Sequence, residues 1–400
     1  MDMERTTLRE ETLKMRFTDI YDRHRRHELS CEEASDILGI SVRTFLRKRR
    51  RYAEEGPEMV FDRRLGKKSP QRIGDEEVER LTKLYEEKHR GFSVKHFHDY
   101  VGWQYPDVRP YSYNWCRLTL QRKGLVEKVG RGGPHRLRRD RKAMRGMMLH
   151  QDASTHLWIP ALGHNVDLVI TMDDADSTIT SGFFVLQEGT QSSLLGIQET
   201  IANQGLFCTF YTDRGSHYAY TPNAGEKVDK SRLTQVGRAL KQLGIKHIHA
   251  YSPQARGRSE RMFGTLQGRL PKELDLEGVQ TLEEANRYLK EVYLPRHNQQ
   301  FSVKPKEERT AYTPWLHHQS LDEILCIQEE RVVQKDNTVR YNTLILQIPP
   351  QESRHHYVKA PVEVREYGNG TLGIFYGHLC LGRYDQKGNL LSQNQKQVAA

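Results

Sequence analysis

A chain of 400 residues is long enough for several domains with buried cores. Its formal net charge of +10 and pI near 9.2 favour a polyanionic partner. No apolar run approaches the roughly 20 residues of a membrane span, and the charged start lacks a signal-peptide core. The five cysteines (31, 116, 208, 326 and 380) are far apart with no C-x-x-C. This excludes a zinc finger of the usual spacing and an obvious disulfide framework. His24, His27 and Cys31 lie close together but lack a second cysteine pair. The expectation is a soluble cytoplasmic protein with reduced thiols.

The front of the chain reads as helical. Leu13, Phe17, Ile20 and Tyr21 follow helical spacing. Ser30 and Glu33 form a capping box that opens a second helix, with Ala34, Ile37 and Leu38 on its apolar face and Gly39 at its end. Ser41 caps a third helix in which Val42, Phe45 and Leu46 point inward. Arg43, Thr44, Arg47, Lys48, Arg50 and Arg51 point outward. A helix, a tight turn and a Ser-capped basic helix make a helix-turn-helix pattern, whose last helix enters the major groove. An ordinary helical bundle with a solvated basic face is the bland alternative. This first DNA-binding domain is set at 1–61, with a basic, Gly- and Pro-bearing linker at 62–74.

A second helical, helix-turn-helix-like DNA-binding domain is expected over 75–126. Val78, Leu81, Leu84 and Tyr85 face inward on its first helix. Trp115 and Leu118 face inward on its last, which presents Arg117, Arg122 and Lys123. A basic connector follows at 127–145. Residues 122–145 hold ten Lys and Arg, among them Arg136, Arg138, Arg139 and Arg141, against Glu127 and Asp140. Its position between two kinds of fold favours nucleic-acid contact over a merely solvated linker.

From residue 146 the pattern alternates. Strands are predicted at 146–152, 166–174 and 179–187, then a helix at 192–203 and a strand at 206–213. A helix at 231–243, a strand at 245–251 and a further helix complete the series. Three strands, then helix, strand, helix, strand, helix, is the order of a ribonuclease-H-like mixed sheet, assigned to 146–300. In it Asp152, on the first strand, and Asp213, at the end of the fourth, can lie side by side.

Glu260 comes from the stretch 251–274. Met262, Phe263, Leu266 and Leu270 form a stripe that packs this helix on the sheet. Arg256, Glu260 and Gly264 share another face. Three hard oxygen ligands suit Mg²⁺ or Mn²⁺, two ions per site. Such a pair can activate a water or 3′-hydroxyl and stabilise the leaving oxygen of a phosphodiester. Arg256 and Arg258 would hold the DNA backbone. A single Asp at a strand end is ordinarily a cap, so the argument rests on the combination. Asp173, Asp174 and Asp176 compete for the first position but read as the turn between strands two and three.

These residues carry a family resemblance. HQDASTHLW, YTDRGSHY, the run from LTQVGRALKQLG through YSPQARGRSERMFGTLQGRLPKEL, and LDEILCIQEERVVQKDNTVRY resemble the DDE transposases of bacterial insertion sequences, specifically the ISNCY group. These are relatives of the retroviral-integrase-like enzymes. The resemblance covers nearly the whole chain. It implies catalytic and metal-binding roles for Asp152, Asp213 and Glu260, and a homodimer or higher assembly on two DNA ends. It also implies binding of terminal inverted repeats, then hydrolysis and strand transfer into target DNA. The Asp213–Glu260 interval is longer than in retroviral integrases, with an inserted loop expected over 218–231, and the integrases' N-terminal zinc module is replaced by the helical front.

Behind the core, a connector is set at 301–326, a small β-barrel at 327–388 and a disordered tail at 389–400. Gly-Asn-Gly at 368–370 is the barrel's hairpin turn. The alternatives are a catalytically silent, transposase-derived DNA-binding regulator and a plain ribonuclease-H-type nuclease. The front helical modules, which imply duplex readout, argue against the latter.

Overall fold

The computed structural model describes residues 2–60, 73–105, 111–128, 140–221, 229, 232–250, 257–316, 320–351 and 354–392. The chain divides into two compact units, Met1–Leu81 and Thr82–Ala400. Most of the expected linker, the connector's 129–139, the loop's 222–228, 230 and 231, the motif residues 251–256 and the end of the tail lie outside the described residues.

The first unit is helical: α1 (Asp2–Arg25), α2 (Cys31–Leu38) and α3 (Val42–Glu55). The Ser30 hydroxyl accepts the Glu33 N–H at 3.2 Å, and the Glu33 carboxylate accepts the Ser30 N–H at 2.8 Å. Each bond satisfies an amide that the helix itself cannot. Gly39 ends α2 at φ 64°, a left-handed conformation that suits glycine. Ser41 then caps α3. The core is Phe17, Ile20, Ala34, Phe45 and Tyr52. Ile37 and Leu46, expected inside, are each 38% exposed, because Ser35 and Tyr52 take the inward positions instead. His24 is engaged by the Leu29 carbonyl at 2.8 Å and by Arg49 at 3.0 Å.

The helix α4 (Asp75–Lys88) runs into the second unit, where α5 (Val94–Gln104) and α6 (Tyr113–Arg122) follow. On α6 the buried face is Cys116, Thr119 and Leu120. Trp115 and Leu118 are only half-buried. From Thr82 onward the second helical set thus shares one compact unit with everything after it.

Five strands form one mixed sheet: β1 (Leu149–His156), β2 (Val166–Asp173), β3 (Ile179–Val185), β4 (Thr209–Thr212) and β5 (Lys246–His249). Their order is β3-β2-β1-β4-β5. β1, β2 and β3 pair antiparallel, while β4 and β5 run parallel to β1. Helices α7 (Thr190–Gln204) and α8 (Gln235–Gln242) connect the later strands. They pack on one face through Leu194, Ile197, Ile201, Val236 and Leu240, against Leu149 and Phe210. Helix α9 (Gly257–Leu276) packs on the other face through Met262, Phe263, Leu266, Leu270 and Leu274, against Leu168, Ile170 and Met172. A mixed sheet with helices in this strand order fits the expected ribonuclease-H-like core.

Helix α10 (Leu282–Tyr288) continues through a π-helical turn at Leu289–Tyr293 into α11 (Leu294–Phe301). After the short α12 (Leu321–Ile324) come β6 (Ile327–Val332), β7 (Thr338–Tyr341), β8 (Leu344–Gln347), β9 (Pro361–Glu366), β10 (Leu372–Tyr376), β11 (Leu379–Tyr384) and β12 (Leu390–Ser392). They form a five-stranded antiparallel sheet, β12-β11-β10-β9-β6, and a β7-β8 hairpin around one apolar core. Among the described residues β6 and β12 are the edges of the larger sheet, and β7 and β8 form a separate two-stranded sheet. The Gly-Asn-Gly turn joins β9 to β10, with Gly370 at φ 75°.

Two histidines tie the second unit's stability to pH. His89 and His297 are 0% and 2% exposed. Burial first, then His96 and Lys88 beside His89 and Arg269 beside His297, lowers each imidazole to about 4. In the unfolded chain both return to about 6.5. The unfolded state therefore binds the extra protons, and stability falls as pH drops from about 6.5 toward 4. Lowering pH from 7.5 to 5.5 should cost on the order of 1 kcal/mol per histidine. Urea titrations across that range measure it, and His89→Phe should flatten part of the slope.

Candidate active site

The sheet decides which acids can meet. β1 and β2 set Asp152 opposite Ile170 and His150 opposite Met172. Directly opposed residues project from the same face of a sheet. Ile170 and Met172 belong to the core beneath α9, so Asp152 faces α9. β1 and β4 pair Leu149 with Phe210 and His150 with Tyr211. The same offset, carried two residues further, brings Asp152 level with Asp213, just past the end of β4. On its other side β4 stays paired with the β5 segment to its end, where the Ala250 N–H donates to the Thr212 carbonyl at 2.8 Å.

Asp152 is nearly buried at 9% exposure, and its Oδ1 accepts the Ala153 N–H at 3.0 Å. Asp213 is half-buried, and its Oδ1 accepts the Gly215 N–H at 2.8 Å, which tightens the turn after β4. Glu260 lies in the first turn of α9 and is exposed. Among the described residues, no three His, Cys, Asp or Glu side chains are gathered to hold a metal ion. The fold thus aligns two of the predicted acids and carries the third on the helix covering them, without drawing all three into one cluster. The donor set, carboxylate oxygens alone, is of the hard type that suits Mg²⁺.

A buried polar support lies behind Asp152, on the opposite face of β1. The Tyr218 hydroxyl donates to Gln151 Oε1 at 2.8 Å. The Gln151 amide donates to Thr171 Oγ1 at 3.0 Å and to the Ser193 carbonyl at 3.2 Å. Residue 151 adjoins Asp152, and Tyr218 closes the loop that begins at Asp213. Both acids therefore hang on one hydrogen-bonded group. A Cβ on Gly196 of α7 would overlap the Gln151 amide nitrogen, so glycine leaves the room this group needs.

Helix α9 is held by polar contacts along its second half. Glu273, 1% exposed, accepts from His96 of α5 at 2.8 Å, Tyr288 at 2.9 Å and Arg296 at 2.5 Å. Arg269 donates to Asp99 at 2.9 Å, and the Tyr100 hydroxyl to Glu277 at 2.7 Å. Burial holds the His96 imidazole below its ordinary range despite the opposing pull of Glu273. The second helical set therefore braces the helix that bears Glu260.

The acids of the β2–β3 turn are structural. Asp173 accepts from the Gly146 N–H at 2.7 Å, the Ala175 N–H at 2.9 Å and the Tyr312 hydroxyl at 2.9 Å. Burial leaves its pKa raised. Asp174 pairs with Arg258 and His150.

The predicted DNA contacts divide. Arg43, Arg47, Arg122 and Lys123 are exposed. The Thr44 hydroxyl lies 2.9 Å from Ser41 Oγ, Lys48 lies over the Phe17 ring and Arg51 pairs with Glu55. Arg117 is bound along its own helix to Asn114. Two of these arginines have partners within the protein. Arg258 faces Asp174 instead of solvent, because a buried carboxylate needs a cation. Arg141 donates to the Asp174 carbonyl at 3.1 Å and the Ser177 hydroxyl at 2.8 Å. Arg136, Arg138, Arg139 and Arg256 lie outside the described residues. Sequence reasoning missed Gln151, Tyr218, Gly196, Asp99 and Glu273. Their partners are remote in the chain, and only the spacing of Arg258 two residues before Glu260 was visible.

No protein-family model matches the chain. It is 27% identical over 353 residues to a putative transposase, y4bF, of Sinorhizobium fredii (strain NBRC 101917 / NGR234), covering 88% of this chain and 76% of that protein. It is 34% identical over 219 residues to the transposase for insertion sequence IS1202 of Streptococcus pneumoniae, covering 55% of this chain and 46% of that one. Among solved structures it is similar to a chain of the simian T-cell lymphotropic virus intasome in complex with PP2A regulatory subunit B56 gamma. That likeness has a TM-score of 0.32 and 12% identity, and covers 72% of this chain and 95% of that chain.

The support beneath Asp152 gives a direct test. Gly196→Ala would ordinarily favour a helix by up to about 1 kcal/mol. Here the methyl displaces the Gln151 amide, and the expected result is a loss of about 1–3 kcal/mol. Urea unfolding measures the sign.

Proposed function

Taking the chain as a relative of bacterial insertion-sequence transposases, we propose that it is a DNA transposase of the DDE type. It binds terminal inverted repeats, hydrolyses a phosphodiester to free a 3′-hydroxyl, and directs that hydroxyl to target DNA. The observation that supports this reading is the parallel pairing of β1 with β4 at Leu149–Phe210 and His150–Tyr211, whose offset, continued, would set Asp152 level with Asp213 on the face covered by the helix of Glu260.

Asp152, Asp213 and Glu260 would hold the Mg²⁺ or Mn²⁺ ions. When bound, such ions neutralise charge on the phosphate and activate the attacking oxygen. The chain's own contribution is positioning. The Gln151–Tyr218 pair supports the two strand-borne acids, and the sheet stiffens the floor of the site. Phosphoryl transfer depends mainly on such alignment and on charge neutralisation. The exposed Arg43 and Arg47 on α3 would enter the major groove, Arg122 and Lys123 would add contacts, and the connector would follow the backbone. Action on two DNA ends implies at least a dimer. The ISNCY assignment stays with the motifs that suggested it.

Glu260→Gln should abolish Mg²⁺-dependent nicking and joining of a cognate terminal-repeat duplex while sparing end binding. Joining at wild-type level in that variant removes the assignment. If neither protein cleaves and both bind ends, the chain is a DNA-binding regulator instead. Replacing Arg43, Arg47 and Lys48 together by Ala should weaken end-specific binding at least tenfold and reduce its salt dependence. An unchanged footprint on the repeat would move end recognition away from α3.

A further inference from the structure

The turn between β2 and β3 contains a carboxylate that the proposed reaction does not use. Asp174 is fully buried. Its Oδ1 is 2.7 Å from His150 Nε2, and its Oδ2 accepts the Lys142 N–H at 2.8 Å. The Arg258 guanidinium also donates to Oδ1. Its carbonyl accepts from Arg141 at 3.1 Å. Burial alone would raise this carboxyl, but the bonds from His150, Arg258 and the Lys142 N–H outweigh it and hold its pKa below the usual carboxylate range. The group is therefore charged, and the Arg258 side chain beside it is only 15% exposed.

The positions of the partners matter more than their number. His150 is two residues before Asp152 on β1, and on the same face of the strand. Arg258 is two residues before Glu260 in the first turn of α9. One buried carboxylate thus grips the chain beside two of the three proposed acids, and it also holds the end of the basic connector through the Lys142 N–H, with Arg141 on the Asp174 backbone carbonyl. The second half of α9 is anchored elsewhere, through Glu273, Arg269 and Glu277. The first turn has the Asp174–Arg258 pair as its polar anchor to the sheet.

We propose that Asp174 is a positioning residue: by holding Arg258 against His150, it fixes the first turn of α9 over β1 and so sets where Glu260 stands relative to Asp152. Its link to activity rests on the transposase reading above; its effect on the order of α9 does not. Arg258 is accordingly part of the scaffold rather than of the DNA interface. A tether on α9 matters because its apolar stripe begins only at Met262, one turn beyond Arg258.

The test compares full-length wild type with Asp174→Asn, Arg258→Gln and the double variant. Hydrogen exchange of the α9 first turn, with α7 as internal reference, reads the tether without any assay of activity. The expected result is exchange at least tenfold faster in that turn for each variant and no change in α7. On terminal-repeat DNA, each variant should lose tenfold or more in cleavage rate, require more Mg²⁺ for half-maximal rate, and keep its affinity for ends. The double variant should be no worse than the poorer single variant, since both remove one interaction. Unchanged exchange in folded Asp174→Asn overturns the proposal. So does an end-affinity loss confined to Arg258→Gln, which would make that residue a DNA contact. If Asp174→Asn does not fold, Arg258→Lys, which keeps the charge and shortens its reach, must show the same local exchange. Faster α9 exchange alongside full activity in Glu260→Gln would sustain the tether while removing the transposase reading.

Discussion

Strand β1 pairs on both sides, antiparallel with β2 and parallel with β4, and the placement of the site depends on that double pairing. The antiparallel register assigns each β1 side chain to a face. A slip of one residue would move Asp152 from the α9 side to the α7 side. The parallel register then sets Asp213 level with it. Neither acid chooses its position by its own chemistry. Both are placed by hydrogen bonds made upstream, between Leu149, His150 and their β4 partners.

Apolar packing explains how α9 lies on the sheet but not where along it Glu260 stands. Burial of Met262, Phe263, Leu266, Leu270 and Leu274 is non-directional and tolerates sliding. Direction comes from charged contacts. Asp99, Glu273 and Glu277 bind the second half of the helix to α5, α10 and α11, and Asp174 binds its first turn. Pairs of this kind are poor sources of net stability, because desolvation offsets most of the attraction. They are costly to misalign, since a displaced partner leaves a buried charge unmatched. That asymmetry makes them suitable for fixing geometry.

The helical region after residue 82 has a different standing from the one before it. Alone, its capped and basic pattern resembles a DNA-reading module. In the folded chain, α5 presents His96, Asp99 and Tyr100 to α9. It serves as a brace for the core, and two of its exposed cations, Arg122 and Lys123, stand at the end of α6. Contact with DNA there would be mechanically connected to the helix that carries Glu260.

Local chemistry made much of this legible in the residues. Capping boxes, helix-ending glycines and the change from helical to alternating periodicity located the first three helices, the five core strands and α9. Their order alone pointed to the mixed sheet, and the strand-end reading singled out Asp213, whereas Asp152, expected at the end of a strand over 146–152, lies in the middle of β1. Some boundaries differed: β4 begins only at Thr209 and α8 only after the Thr234 cap, which leaves Leu233 exposed. What only the tertiary structure decided was the fate of the polar side chains. An arginine near an acid on a helix has the same local pattern whether it meets solvent, DNA or a buried carboxylate. Arg258 finds its partner 84 residues away, across a strand pairing, and His96 finds Glu273 at a distance of 177 residues. Such contacts depend on register and packing, which no local sequence pattern encodes.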